Sequence, residues 1–425
     1  MIAVNRKLFL LLAILSVALR AQIARESGDF KAEVVAIVSA MPGSGSEGFT
    51  PPSFATLQQW TPILLALCDG EFQRADSLVR ADFPSYQIVE FTDTGYGDAV
   101  YYLLRENAPV QKGWGTYAVN PNFRRAMAIE VPHARYDTNT HREGSDVFRE
   151  TGARFFLMSG THRCANSAES ICDGTTGACG SSGSPYRVSD MAHYEKALFQ
   201  LFHEVLTIRN PTLYAVNLHG HANSDCQDFF MSSGVGSTPS RILLDIKASL
   251  LASGGVSAAV AGDGTSTCTL TGGTNVQGRY TNGSSDPCAQ AAGSPNGYFM
   301  HIEQARRIRD SYDLYSRLIG ALNEHIQPVT GIADAPVSRD FVMLEAFPNP
   351  FNPAVTLALR LSSREAIRLT VFDALGREVT VLARGIFGPG EHRFVFEGEG
   401  LSGGVYFAFL QGEGHRQVKR LVLAK

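Results

Sequence analysis

Residues 125–163 read RAMAIEVPHARYDTNTHREGSDVFRETGARFFLMSGTHR. A short apolar run at 125–131 passes through a polar connection into a helix-like stretch at 144–150. A second apolar run follows at 153–159. Strand, helix and strand in succession form the unit from which parallel sheets are built. The alternation extends across 30–326. Further strands are predicted at 32–40 (AEVVAIVSA), 213–218 (LYAVNL), 256–261 (VSAAVA) and 298–302 (YFMHI). Helices are predicted at 54–68, 189–209, 240–253 and 303–326, the second with Ser189 as N-cap. The pattern predicts an α/β body: a mostly parallel sheet flanked by helices. Long Gly/Ser/Thr stretches at 164–185, 223–240 and 263–297 read as loops, and their length marks them as functional or disulfide-braced.

Three of the predicted strands end in histidine: His133, His162 and His219, with His221 two residues further on. In open parallel sheets ligands bind beyond the carboxyl ends of the strands, so histidines from distant parts of the chain converge on one rim. His133 and Asp137 lie four apart where the chain leaves a strand, and both can reach one ion. A later-strand histidine, His219 or His221, would complete a three-residue set of the kind that holds zinc at catalytic sites. Glu303 ends the run YFMHIE ahead of a basic helix. There it would serve as the base that takes a proton from an attacking water and returns it to a leaving amine. Arg135, Arg142 and Arg163 cluster near the same rim, and their planar forks match a substrate carboxylate. Each residue also has a plain structural reading: turn or cap for Asp137, helix-start acid for Glu303, surface ion pair for each arginine. Asp190 and His193 are candidates for orienting a ligand histidine.

The order of these elements resembles that of carboxypeptidase-like zinc hydrolases, among them N-formylglutamate amidohydrolases and phage poly-γ-glutamate hydrolases. The resemblance covers about 125–310 and implies zinc held by His133, Asp137 and His219, with Glu303 as general base and acid. The sequence departs from the usual carboxypeptidase pattern, because three residues rather than two separate His133 from Asp137 and the acid is aspartate. The expectation is a zinc-dependent hydrolase acting on an amide or peptide bond of a peptide-like or acidic small substrate. A non-catalytic surface-binding protein on a degenerate hydrolase fold competes with it, as does a metal-dependent esterase or phosphoesterase.

Beyond 347 the composition changes. FPNPFNPAVTLALRL, LTVFDALGREVTVL, LSGGVYFAFLQGEG and VKRLVLAK follow one another. Ile367, Leu369 and Val371 alternate with polar residues, as do Phe394 and Phe396, and as do Val405, Phe407 and Phe409. Period-2 rows between Gly and Pro turns predict a small antiparallel β-sandwich over 347–425. The order and spacing of the four motifs closely resemble the C-terminal sorting domain of the type IX secretion system. The resemblance implies export and docking on that machinery, with the protein released or held at the cell surface.

The amino end agrees. Arg6 and Lys7 precede LFLLLAILSVAL and then Arg20-Ala21-Gln22. A basic start and an apolar run of about 7–15 residues describe a secretory signal peptide, here 1–21. The run falls short of the ~20 residues that span a bilayer, and no later segment reaches that length. Residues 327–346, with Pro328 and Pro336, read as a linker.

The net charge is −4 with 18% charged residues, and no basic block points to nucleic acid. Seven cysteines suit an oxidising compartment. Cys68, inside ILLALC, reads as a buried free thiol. The other six can form three disulfides; connectivity does not follow from sequence, and 172–179 and 268–288 are the simplest local pairings. There is no GxSxG elbow, no Walker loop, no CxxC pair, and HEVLT is not HExxH.

Overall fold

The computed structural model describes residues 22–236, 238–329, 343–361, 365–373, 377–388, 390–412 and 416–424. The expected leader at 1–21 lies outside them, as does most of the expected linker, 330–342. The body is built on a ten-stranded sheet in the order β1 (Ala24–Gly28), β2 (Tyr86–Asp93), β3 (Ala99–Glu106), β4 (Thr116–Val119), β6 (Ala153–Met158), β5 (Arg125–Val131), β9 (Tyr214–His221), β12 (Phe299–Ala305), β10 (Phe229–Ser232) and β11 (Ala258–Val260). A small hairpin, β7 (Thr175–Thr176) and β8 (Ser184–Pro185), stands apart. The central strands β6, β5, β9 and β12 run parallel, while β2, β3, β4 and β6 pair antiparallel in succession.

Helices cover both faces because the central strands are apolar on both. Met127, Ile129 and Val131 of β5 face one core together with Phe156 and Met158 of β6. Ala128, Phe155 and Leu157, one residue out of phase, face the other. The first core is closed by α1 (Phe30–Ala40), α4 (Thr140–Thr151), α6 (Arg241–Ala252), α8 (Arg306–Arg309) and α9 (Tyr312–His325). The second is closed by α2 (Phe54–Cys68), α3 (Phe72–Asp82) and α5 (Leu198–Arg209). A short helix, α7 (Val276–Thr281), packs beside α5.

Local expectations are corrected at several places: β10 lies inside the predicted loop 223–240, α7 inside 263–297, and β12 runs to Ala305 where a helix is predicted from Glu303. Residues 32–40 are not a strand but most of α1. Phe30, Val34 and Val38 are its buried positions, spaced by four, and the Asp29 carboxylate accepts the Ala32 N–H at 2.7 Å as N-cap. The predicted helix at 189–209 begins only at Leu198. Ser189 caps nothing: its hydroxyl accepts the Asn166 N–H and donates to the Arg163 carbonyl.

The tail forms two antiparallel sheets. β13 (Met343–Phe347), β14 (Ala354–Leu361) and β17 (Gly390–Glu397) make one; β16 (Glu378–Phe387), β15 (Glu365–Asp373), β18 (Gly404–Gln411) and β19 (Arg416–Leu423) make the other. Between them lies a core containing Ile367, Leu369, Val371 and Phe396, as the alternation predicts. In β18 the opposite phase faces inward: Tyr406, Ala408 and Leu410 are buried, rather than Val405, Phe407 and Phe409. Register decides this, since Leu410 and Ala408 sit opposite the buried Leu369 and Val371 of β15.

The disulfides are Cys164–Cys179, Cys172–Cys288 and Cys226–Cys268, so both local pairings fail. The fold lays the 288 segment over the 172 segment, where the Asp173 N–H reaches the Cys288 carbonyl at 3.0 Å. Cys68 is free and buried, and burial pushes its thiol up to about 12. Among the described residues no helix is long and apolar enough to cross a membrane.

Candidate metal centre

The site grows from three adjacent parallel strands. Glu130 of β5 is in register with Asn217 of β9; His301 and Glu303 of β12 are in register with Asn217 and His219. Val216 and Leu218 point into the first core. By alternation, Glu130, Asn217, His219, His221, His301 and Glu303 share the other face at the strands' carboxyl ends. His133 and Asp137 enter from the β5–α4 connection. Backbone turns there send the N–H groups of Tyr136 and Asp137 to the His133 carbonyl, each at 2.9 Å, and stack Asp137 one turn beyond His133.

His133, Asp137 and His219 converge as a buried group able to hold a metal ion. The Asp137 Oδ2 lies 3.2 Å from His133 Nδ1 and 3.5 Å from His219 Nδ1. It also accepts the Gly220 N–H at 3.1 Å. The outer imidazole nitrogens are engaged elsewhere: His133 Nε2 with Asp190 Oδ1 at 2.8 Å, His219 Nε2 with Asn217 Oδ1 at 2.5 Å. Imidazoles oriented by such outer partners present their inner nitrogens to a metal. Burial, reinforced by the neighbouring His301, lowers His219 to about 4, so it is neutral at physiological pH. Burial alone would raise Asp137, but His133 and His219 hold it far below the usual carboxylate range. His219 Nδ1 and an ionised carboxylate oxygen therefore face each other out of water. Two imidazoles and one carboxylate are donors that divalent cations of the zinc type accept, so the residues fit such an ion.

His133, Asp190 and His193 form a second group of the same kind. Both oxygens of its carboxylate are engaged by protein groups. Asp190 Oδ1 takes His133 Nε2 and, at 3.0 Å, His193 Nδ1. Its Oδ2 takes Nε and Nη2 of Arg163 at 2.9 and 2.5 Å. Burial pushes Asp190 up, yet Arg163 and the histidines hold it well below the usual range. For His133, burial and Arg163 press downward and are outweighed by Asp190 and Asp137, which raise it.

Glu303 Oε1 lies 3.3 Å from His301 Nε2, and Oε2 is buried with no protein partner. Burial raises this carboxyl, but His301 and His219 outweigh it and lower it. The imidazole of His301 lies 4.4 Å from that of His219, centroid to centroid. Arg163 is engaged by Asp190 and rests over the Tyr136 ring, whereas Arg135 and Arg142 are exposed. His162 accepts the Cys164 N–H on Nδ1 and packs against Tyr136. His221 Nε2 meets the Gln227 carbonyl at 2.9 Å, away from the Asp137 carboxylate.

Arg309 ties the rim together. It donates to the carbonyls of Gln304, Thr138 and His221, one on each segment bordering the site. A Cβ on Gly220 would collide with its guanidinium, so a larger residue there would push Arg309 off these carbonyls. Sequence reasoning missed His301, Asn217 and Glu130. Each is a polar residue inside an apolar run; for Asn217 and His301 the parity shared with His219 and Glu303, two residues farther along, was the available signal.

Among classes of known protein, the tail has a firm counterpart. Residues 345–424 match the family model described as the secretion system C-terminal sorting domain. The chain thus carries a type IX export address, engages that machinery, and is secreted or attached at the cell surface. For the body, comparison with curated proteins finds no match. Among solved structures the chain is similar to the N-formylglutamate amidohydrolase from Ralstonia eutropha JMP134. The identity is 13% over 50% of this chain and 95% of that one, with a TM-score of 0.27. A likeness that loose carries no argument about fold or chemistry.

Proposed function

We propose that the body is an exported zinc-dependent hydrolase that cleaves an amide or peptide bond in a carboxylate-bearing substrate. One observation carries the reading: the inner nitrogens of His133 and His219 turn toward one Asp137 oxygen in a buried site, while their outer nitrogens are held by Asp190 and Asn217. Zinc bound by these three residues supplies Lewis acidity toward water and the scissile carbonyl. Glu303, beside His219 in register, takes the proton of the attacking water on its unpartnered Oε2 and delivers it to the leaving nitrogen. Arg135 and Arg142, on the exposed side of the β5–α4 segment, hold the substrate carboxylate. Arg163 stiffens the site through Asp190.

The test is metal analysis joined to one substitution. The protein is expected to carry about one zinc per chain. Glu303→Gln is expected to abolish hydrolysis of N-acyl amino acids and peptides while retaining that zinc. Protein that takes up no divalent metal after reconstitution would sink the proposal. Loss of zinc in Glu303→Gln would make Glu303 a ligand instead.

A further inference from the structure

We propose that Glu130, Asn217 and His203 are positioning residues that oblige His219 to present Nδ1 to the metal centre; this rests on the metal-binding reading above. The residues form an unbroken buried chain. His219 Nε2 meets Asn217 Oδ1 at 2.5 Å, and Asn217 Nδ2 donates to Glu130 Oε2 at 3.0 Å. Glu130 Oε1 meets His203 Nδ1 at 2.6 Å, and His203 Nε2 meets Thr281 Oγ1 at 2.8 Å. Glu130 and Asn217 are 0% exposed and His203 is 1% exposed. The same strands bury Ile129, Val216 and Leu218 on their other face, so this much polarity is not what the sheet needs for packing.

The chain has a direction, and Glu130 sets it. A carboxylate only accepts, so Asn217 must turn its NH₂ toward Glu130 and its oxygen toward His219. An amide oxygen only accepts, so His219 must place its proton on Nε2. A neutral imidazole carries one N–H, which leaves the lone pair on Nδ1, the nitrogen facing Asp137. On the far side, His203 donates Nδ1–H to Glu130 and accepts the Thr281 hydroxyl proton on Nε2. Without Glu130 the Asn217 amide is free to turn over and offer its NH₂ to His219. The imidazole proton would then move to Nδ1 and block that nitrogen from coordinating a cation.

A chain that merely cross-links β5, β9, α5 and α7 would make the same contacts, so the test must read tautomer and metal rather than stability. In the full-length, metal-free wild type at pH 8, long-range ¹H–¹⁵N NMR of labelled histidines is expected to find His219 protonated on Nε2. Protonation on Nδ1 overturns the proposal whatever the variants do. Cobalt titration followed by visible absorption gives the second reading. Glu130→Leu and Asn217→Leu are expected to weaken cobalt binding by about 10–100-fold. Glu130→Gln keeps an oxygen for the Asn217 amide and is expected to stay near wild type. Wild-type affinity in folded Asn217→Leu, or equal losses in Glu130→Gln and Glu130→Leu, would overturn it. A wild type that binds no cobalt would bring down the metal reading itself, and this proposal with it.

Discussion

His141, the second residue of α4, is buried, with Nδ1 meeting the Ala134 carbonyl of the β5–α4 connection at 2.9 Å. Burial lowers its imidazole from the usual 6.5 to about 4. Between those values the unfolded chain holds a proton that the folded protein refuses. Stability therefore rises with pH across this window and is lost as pH falls from about 6.5 toward 4, by at most about 1.4 kcal/mol per unit for one group. Urea unfolding at pH 7 and pH 5 is expected to show a smaller acid loss in His141→Gln than in the wild type; equal losses would refute the assignment. At this scale the sequence was partly legible. His133, Asp137, His219 and Glu303 stand out because each follows an apolar run. Glu130, Asn217 and His301 lie inside such runs; parity joins Asn217 to His219 and His301 to Glu303, but only pairing across β5, β9 and β12 brings Glu130 and His301 beside them.

Elements were legible where period and length agreed. FATLQQWTPILLALC is α2 from end to end. AEVVAIVSA is ambiguous because a nine-residue apolar run suits a strand as well as a helix, and the Asp29 cap decides for helix. The predicted loops were legible only in part, since 164–185 carries β7 and β8, 223–240 carries β10 and 263–297 carries α7, and their bracing was not legible. Cys172–Cys288 closes a separation of 116 residues, against 15 for Cys164–Cys179. Chain-entropy reasoning makes the longer closure the more stabilising. Replacing Cys172 and Cys288 by serine is expected to cost about 2–5 kcal/mol in denaturant melts. Replacing Cys164 and Cys179 is expected to cost less. The reverse order would show that strain or residual unfolded structure, rather than loop closure, governs these bridges.

At the scale of the whole molecule, the body's two cores contain no residue of the tail, and the tail's core lies wholly within 346–423. The address and the chemistry thus have separate cores, which meet at the surface where the Phe54 ring of α2 touches the Phe407 ring of β18 edge-on at 5.9 Å. A chain ending at residue 329 is expected to keep the body's melting behaviour and metal content but to remain in the periplasm. Its appearance outside the cell would contradict the sorting role of 345–424; an unfolded truncated body by circular dichroism would contradict the separateness of the cores. Sequence alone determined that the protein has an α/β body and a β tail, where it is sent, and which rim carries the histidines. The body, the tail and the rim reside in local periodicity, which neighbouring residues write by themselves; the destination rests on the resemblance of the tail motifs to a sorting domain. Tertiary structure alone decided the phase of β18, the disulfide partners, the turning of His133 and His219 toward Asp137, and the buried chain behind His219. Each depends on which strands lie side by side, and pairing over long separations leaves no mark in a local pattern.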